Sequence, residues 1–321
     1  MKAVNEGMNT LIEAAVINNK RLVRRNNEDS FYLNGTFMPR ERMDEGAFFT
    51  GSSSSYNQLY AGCDGMGGAD NGEDASFSAV HMLEGLKPNL KALLDENVLT
   101  DTLRRMSDTV NDAATEKGLR SGTTLAMLLV DGNTAQVSNV GDSRVYRFRQ
   151  GHLEQISKDH SKVQRMIDMG LITPEQARTD PERHKISQYL GMPKEIRCSP
   201  YIVSNIPLAP GDVYVICSDG LCDMVEDREI EYILQQNQNP PEAARDLYDA
   251  AIRHGGRDNV TIIVLRVRGE IPQTETELEP TSEPVKITKN PMVPVLTAAQ
   301  ILSAACAILT AADLVFTLLR K

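Results

Sequence analysis

Basic tracts, paired CxxC cysteines and an internal repeat are all missing from this chain, and each absence narrows what it can be. Lys and Arg number 34 against 44 Asp and Glu, a formal charge of −10. A general nucleic-acid binder would instead offer a basic face to the phosphate backbone, so no nucleic-acid partner is expected. The five cysteines (Cys63, Cys198, Cys217, Cys222, Cys306) are odd in number and scattered. They exclude a zinc site built on CxxC pairs and read as reduced thiols of the cytosol. The N-terminal MKAVNEGMNTLIEAAV places Asn and Glu before any apolar stretch, which is no secretory signal, so the globular part is expected inside the cell. With no repeat to organise it, the chain is read element by element.

What is present is 321 residues, enough for one large domain or two small ones with a sizeable core. Gln58 to Cys63 (QLYAGC), Asp212 to Ser218 (DVYVICS) and Val260 to Arg268 (VTIIVLRVR) are rich in β-branched and aromatic residues and read as strands. Thr124 to Asp131, Thr134 to Val140 and Val145 to Phe148 form a meander, with Asp131-Gly132-Asn133 as turn chemistry, so antiparallel pairing is implied. Helical spacing runs over Asn71 to Leu86, Lys91 to Leu119, Ser161 to Gly170, Pro174 to Thr179, Asp227 to Gln236 and Pro240 to His254. Thr36 to Asn57 is polar, holds Pro39 and a Gly-Ser-Ser-Ser-Ser run, and reads as an exposed hairpin insertion (36–57).

Character changes after Arg268, which sets the first domain at 1–268. Residues 269–290 (GEIPQTETELEPTSEPVKITKN) hold too little apolar content to pack and read as a disordered linker. Residues 291–321 read as an apolar helix. Within it, Met292 to Leu319 is almost wholly apolar, long enough for a bilayer, which takes about 20 residues. Asp313 is costly at mid-membrane and favours a buried or partner-binding helix instead; its place near the end of the run reduces that cost. The expectation is a membrane anchor over 292–319 that holds a cytoplasmic domain at the membrane.

Three acidic clusters abut the strand-like runs: Asp64-Gly65, Asp219-Gly220 and Arg257-Asp258-Asn259. An Asp at a buried strand end needs a donor, a cation or a metal, because an unpaired carboxylate there would take up a proton. Each Asp-Gly is also an ordinary turn signal, as is Gly141-Asp142. Against the turn reading stand the surroundings of Asp64, CDGMGG, whose glycines let the backbone approach an ion or phosphate. Carboxylates, a carbonyl and waters suit Mg²⁺ or Mn²⁺ better than zinc. Two such ions would activate water for in-line attack on a phosphate ester. A phosphate site also wants an Arg, and Arg24, in Arg24-Arg25-Asn26-Asn27-Glu28-Asp29, is the candidate; a solvated strand edge is the other reading of that run.

Taken together, RRNNEDS from Arg24, CDGMGG from Cys63, SGTTLAMLLV from Ser121, NVGDSRVY from Asn139, SKDHS from Ser157, SDGLCDMV from Ser218 and GGRDNVTIIVL from Gly255 resemble the bacterial members of the metal-dependent PPM or protein phosphatase 2C family. The likeness covers roughly residues 10 to 268, in order. It implies an α+β fold, a four-layer αββα sandwich of two antiparallel sheets flanked by helices, and serine/threonine phosphatase activity. It further implies Asp64 as the ligand bridging two ions and Gly65 as a carbonyl ligand. Asp219 and Asp258 would bind the first metal, and Asp142 would share a third, weaker ion with Asp219. Glu28 would hold metal-bound water, supported by Asp29, with Asn259 orienting its neighbours or stabilising a turn. Arg24 would grip the phosphate. His160 and Ser161 would belong to a flap bordering the site.

One residue departs from some relatives, which carry a proton-donating His where this chain has Met66; a thioether has no proton to give. The expected cofactors are Mn²⁺ or Mg²⁺, and the expected partners are phosphoserine and phosphothreonine proteins, including a cognate serine/threonine kinase. A pseudophosphatase that binds phosphoproteins would lack some of these acids. A small-molecule phosphomonoesterase would share them all.

Overall fold

The computed structural model describes residues 8–20, 24–67 and 71–272. In chain order the strands are β1 (Met8–Asn19), β2 (Asp29–Leu33), β3 (Ala47–Ser53), β4 (Asn57–Gly67), β5 (Ser121–Thr123), β6 (Leu125–Asp131), β7 (Thr134–Val140), β8 (Arg144–Arg149), β9 (His152–Gln155), β10 (Tyr201–Pro207), β11 (Val213–Cys217) and β12 (Val260–Pro272). The helices are α1 (Gly72–Leu86), α2 (Glu96–Glu116), α3 (Lys162–Asp168), α4 (Pro174–Thr179), α5 (Asp219–Cys222), α6 (Asp227–Gln236) and α7 (Pro240–Arg253). One sheet has the order β3-β1-β12-β11-β8-β9 and the other β10-β7-β6-β4-β2, with β5 paired to β4. Each of these neighbouring strand pairs runs antiparallel, as the meander implied.

Strand β6 shows why several runs lack polar alternation. Its Ala126, Leu128 and Val130 pack into the layer between the two sheets, while Leu125, Met127 and Leu129 face Leu83, Leu99 and Leu103 of α1 and α2. A strand covered on both faces reads as a continuous apolar run. The second sheet-on-helix layer joins Val215, Cys217 and Val264 to Leu234 and Leu247 of α6 and α7. The result is the expected helix-sheet-sheet-helix sandwich.

The Thr36 to Asn57 insertion is corrected by the structure. Residues Arg40–Glu45 form a 3-10 helix and Ala47–Ser53 become edge strand β3, paired to β1 along Ile12 to Asn18. Met38, Met43, Ala47 and Phe48 are buried. Four apolar side chains among the polar ones suffice to seat the segment, a signal that its Ser-rich stretch masks. The long helix expected from Lys91 starts at Glu96, where Asp95 caps it by accepting the amides of Asn97 and Val98; the preceding Lys87–Leu94 is a 3-10 helix. Strand β12 continues through Pro272, pairing Gly269 to Pro272 with Leu11 to Met8, so the strand passes the boundary expected at Arg268. The expected linker beyond Pro272 and the apolar run 292–319 lie outside the described residues. Among the described residues no helix is long and apolar enough to cross a membrane.

Candidate metal centre

Asp29 opens β2 and sits directly opposite Asp64 in β4. Register therefore sets two carboxylates side by side, where like charges repel. Asp29 is buried; its Oδ2 accepts hydrogen bonds from Ser218 and Thr261, both 2.8 Å, while no donor among the described residues reaches its Oδ1. Burial dominates those two bonds and raises its pKa to about 7. Asp64 is half-buried and held well above the usual carboxylate range by desolvation, then by Asp29, Asp219, Asp142 and Asp258. Its backbone is clamped from β5 and β6: Thr123 Oγ1 and the Thr124 amide both donate to the Asp64 carbonyl, and the Asp64 amide donates to Thr124 Oγ1. The SGTT segment thus fixes where this carboxylate points.

Both Asp-Gly pairs need their glycine for contact rather than for turn conformation. A Cβ on Gly65 would lie 2.2 Å from the Gly72 carbonyl oxygen and 2.5 Å from that of Glu28, and one on Gly220 would lie 1.9 Å from the Asn259 carbonyl oxygen. Three chain segments meet backbone to backbone here. The Gly65 amide donates to the Glu28 carbonyl at 3.0 Å, which ties β4 to the loop before β2.

Asp219 starts the short α5 directly after β11, and Asp258 stands two residues before β12. Asp219 is raised well above its ordinary pKa by burial, then by Asp142, Asp258, Asp223 and Asp29. Arg24 Nη2 lies 2.6 Å from Asp258 Oδ2, so the sequence-predicted phosphate arginine and metal acid form an ion pair at the rim. Asn259 is more than a turn residue. Its Oδ1 accepts the Glu28 amide, and its Nδ2 donates to the carbonyls of Lys20 and Asn26. The segment carrying Arg24 and Glu28 is hung on that one side chain.

Asp142 is half-buried and raised to about 7 by desolvation, then by Asp159. Arg144 holds Asp159 in a bidentate pair at 2.7 to 3.1 Å. His160 Nδ1 accepts the Gly141 amide and its own amide donates to the Gly141 carbonyl, so His160 supports the Asp142 turn from outside. Ser161 caps α3 by accepting the Gln164 amide. Both flap candidates thus have backbone-holding tasks. Sequence reasoning missed Ser218, Thr261 and Thr124 as supports, although Ser218 adjoins Asp219 and Thr261 lies two residues past Asn259.

Among the described residues, one group of three metal-ligating side chains has its ligand atoms within 4.8 Å of one another: His184, Asp219 and Asp223. The expected set of Asp64, Asp219 and Asp258 does not close to that spacing, and Arg24 supplies the counter-charge to Asp258. The donors around Asp64 are nevertheless all oxygen, mutually repelling, and backed by the unsatisfied Asp29 oxygen. That combination fits a hard divalent cation.

Residues 20–165 match the family described as Protein phosphatase 2C. The chain is 36% identical over 265 residues to the serine/threonine protein phosphatase PstP of Mycobacterium tuberculosis, covering 80% of this chain and 45% of that relative. It thus spans about half the length of PstP. It is 32% identical over 208 residues to the serine/threonine phosphatase stp of Listeria monocytogenes, 63% of this chain and 81% of the relative. The structure of the PstP catalytic domain in complex with two manganese ions superposes with a TM-score of 0.62 at 33% identity, covering 81% of this chain and all of that one. Extended over so much of these relatives, in fold as well as sequence, the likeness shows that this chain belongs to the protein phosphatase 2C family.

Proposed function

We propose that this chain is a metal-dependent phosphoprotein phosphatase that hydrolyses phosphoserine and phosphothreonine. The observation that carries this reading is the convergence of Asp64, Asp219, Asp258 and Asp142 at adjoining strand ends, each acid raising or sharing the charge burden of the others, with Arg24 at the rim. Asp64, the Gly65 carbonyl, Asp219, Asp258 and Asp142 would hold Mn²⁺ or Mg²⁺, with Glu28 reaching the ions through water. When bound, such a pair of ions supplies a water nucleophile at neutral pH and neutralises phosphate charge.

The protein's own residues do the rest. Arg24 reaches Asp258 through Nη2 at the rim, which places its planar guanidinium where it can seat the substrate phosphate against the carboxylate cluster. Asn259 holds the Arg24 to Glu28 segment in register with β12. Asp29, braced by Ser218 and Thr261, stands behind Asp64 and keeps it turned toward the cleft. Met66 gives no proton to the leaving group, and His160 has Nδ1 committed to Gly141.

The test is hydrolysis of p-nitrophenyl phosphate and of a phosphothreonine peptide with Mn²⁺, with and without chelator. Activity that survives chelation, or that persists in Asp219→Asn, contradicts the reading. Turnover of the small ester with none of the peptide would favour a small-molecule phosphomonoesterase. Phosphoproteins of the same cell, including a serine/threonine kinase, are the substrates this reading points to, with the domain tethered at the cytoplasmic membrane by 292–319. Full-length protein should then sediment with membranes while a chain truncated after Pro272, which keeps β12 whole, stays in the supernatant.

A further inference from the structure

We propose that Arg40 and Asp44, on the 3-10 helix of the Thr36 to Asn57 insertion, are positioning residues. They fix Glu28 and the Gly65 carbonyl relative to each other, and thereby set the affinity of the ion that those two groups serve. The inference rests on the reading above for the presence of that ion. It gives a task to a segment that the metal chemistry itself leaves unused.

Glu28 and Gly65 meet where α1 crosses the loop before β2. The Gly65 amide and Ser76 Oγ of α1 both donate to the Glu28 carbonyl, at 3.0 and 2.6 Å. A Cβ on Gly72, the first residue of α1, would stand 2.9 Å from the Glu28 carboxyl carbon and 2.9 Å from the Gly65 carbonyl oxygen. Where the Glu28 carboxylate lies therefore depends on how the start of α1 is seated over this loop.

The 3-10 helix Arg40–Glu45 holds both partners. On the loop side, Asp44 Oδ1 accepts the Asn27 amide at 2.7 Å, and the Met43 carbonyl accepts Asn27 Nδ2 at 2.9 Å. Asn27 is buried and adjoins Glu28. On the helix side, Arg40 donates through Nη2 to Glu73 Oε1 at 2.8 Å and through Nε to Asp74 Oδ1 at 2.6 Å. Glu73 follows Gly72 directly, is buried, and has an Oε2 that no donor among the described residues reaches. A buried carboxylate depends on its counter-charge, so Arg40 grips α1 harder than a surface ion pair could. Lys117 of α2 takes the other oxygen of Asp74 at 2.8 Å, which anchors the same turn from its far side.

The plain alternative is that these bonds only seat the insertion. Its apolar side chains Met38, Met43, Ala47 and Phe48 are buried and already do that. The polar bonds run instead to the neighbours of Glu28 and Gly72. Arg42 of the same helix pairs with Glu45, three residues on, and supplies a control.

The experiment uses the full chain, with calorimetric titration of Mn²⁺, hydrogen exchange of backbone amides and steady-state kinetics. Asp44 is exposed, so Asp44→Ala should fold. It should weaken one of two bound Mn²⁺ ions by ~10-fold or more, the scale on which loss of an outer partner acts. The Asn27 and Gly65 amides should exchange faster, and kcat at limiting Mn²⁺ should fall while KM for a phosphothreonine peptide holds. Asp44→Asn keeps the Oδ1 acceptor and should restore all three readouts. Arg40→Ala strands the Glu73 charge, so Arg40→Met combined with Glu73→Gln is the second variant; it should fold and still show the weakened ion. Arg42→Ala should match wild type. Wild-type Mn²⁺ affinity in Asp44→Ala and in the double variant, or an equal loss in Arg42→Ala, overturns the inference. A wild-type chain that binds no pair of ions sinks the metal reading instead; unchanged exchange of the two amides in Asp44→Ala then overturns the positioning role by itself.

Discussion

The amide of Glu28 donates to the side-chain oxygen of Asn259 at 2.8 Å, joining residues 231 positions apart. The other end of the same side chain donates to Lys20 and Asn26. One buried amide thus aligns the phosphate-facing segment with the strand that carries Asp258. Asn259→Ala should cost about 1 to 3 kcal/mol in urea unfolding, the scale of leaving buried backbone groups unpaired. It should also lower phosphatase turnover without changing β-sheet content by circular dichroism. Unchanged stability and turnover would show that the three bonds hold nothing in place.

Gly220→Ala places a methyl where the Asn259 carbonyl oxygen already stands 1.9 Å away. Backbone must shift, and overpacking of this kind costs about 1 to 3 kcal/mol or more. Gly85→Ala in α1 meets nothing within 4 Å and serves as the control. It should be neutral or stabilising by up to ~1 kcal/mol. Equal melting behaviour of the two variants would remove the steric account of the Asp-Gly pairs.

Asp219 feels more of the cluster's acids than Asp142 does, and its carboxylate also groups with those of Asp223 and the ring of His184. Asp219→Asn should therefore reduce kcat on a phosphothreonine peptide on the order of a thousandfold, since several kcal/mol of transition-state stabilisation pass through such a ligand. Asp142→Asn should lose less. The reverse ranking in steady-state assays would contradict the assignment.

Arg24 is half-exposed, and its bond to Asp258 should add at most about 1 kcal/mol to stability. Arg24→Ala is expected to melt close to wild type while KM for the peptide rises roughly tenfold, because a planar fork, not a bulk charge, fits phosphate. Full rescue by Arg24→Lys would argue against bidentate seating.

Chelator-treated protein should lose stability as pH rises from about 4 to 7. Asp29 and Asp142 go from 3.8 to about 7 on folding, so within that window the folded state binds more protons than the unfolded one. The lowered acids Asp74 and Glu182 titrate below it. Mn²⁺ should stabilise more at pH 7 than at pH 5, when the carboxylates are free to ligate. Thermal melts of chelated protein that rise between pH 5 and 7 would refute this.

Much of the site was legible because its acids sit beside strands whose apolar runs are unmistakable: QLYAGC before Asp64, DVYVICS before Asp219, VTIIVLRVR after Asp258. The meander and the helices α4 and α6 were equally plain, the meander from its Asp131-Gly132 turn, α4 from its Thr173 capping box and α6 from its apolar spacing. Strand β1 was hidden by its Glu13 and by Asn residues at both ends, and β3 by its Ser and Gly, since edge pairing asks little of side chains. The supports were out of reach for a different reason. Ser218, Thr261 and Asn259 act across 189, 232 and 231 residues, distances at which no local pattern carries information.

The long pairing of β1 with β12 sets Asn19 against Val260 at one end and Met8 against Pro272 at the other. Asp258 lies just before the first end, and the second end is about 40 Å away along an extended strand. The Met8–Pro272 end of the pairing thus lies a strand's length from Asp258, and a substrate as large as a folded protein can reach the carboxylates without meeting it.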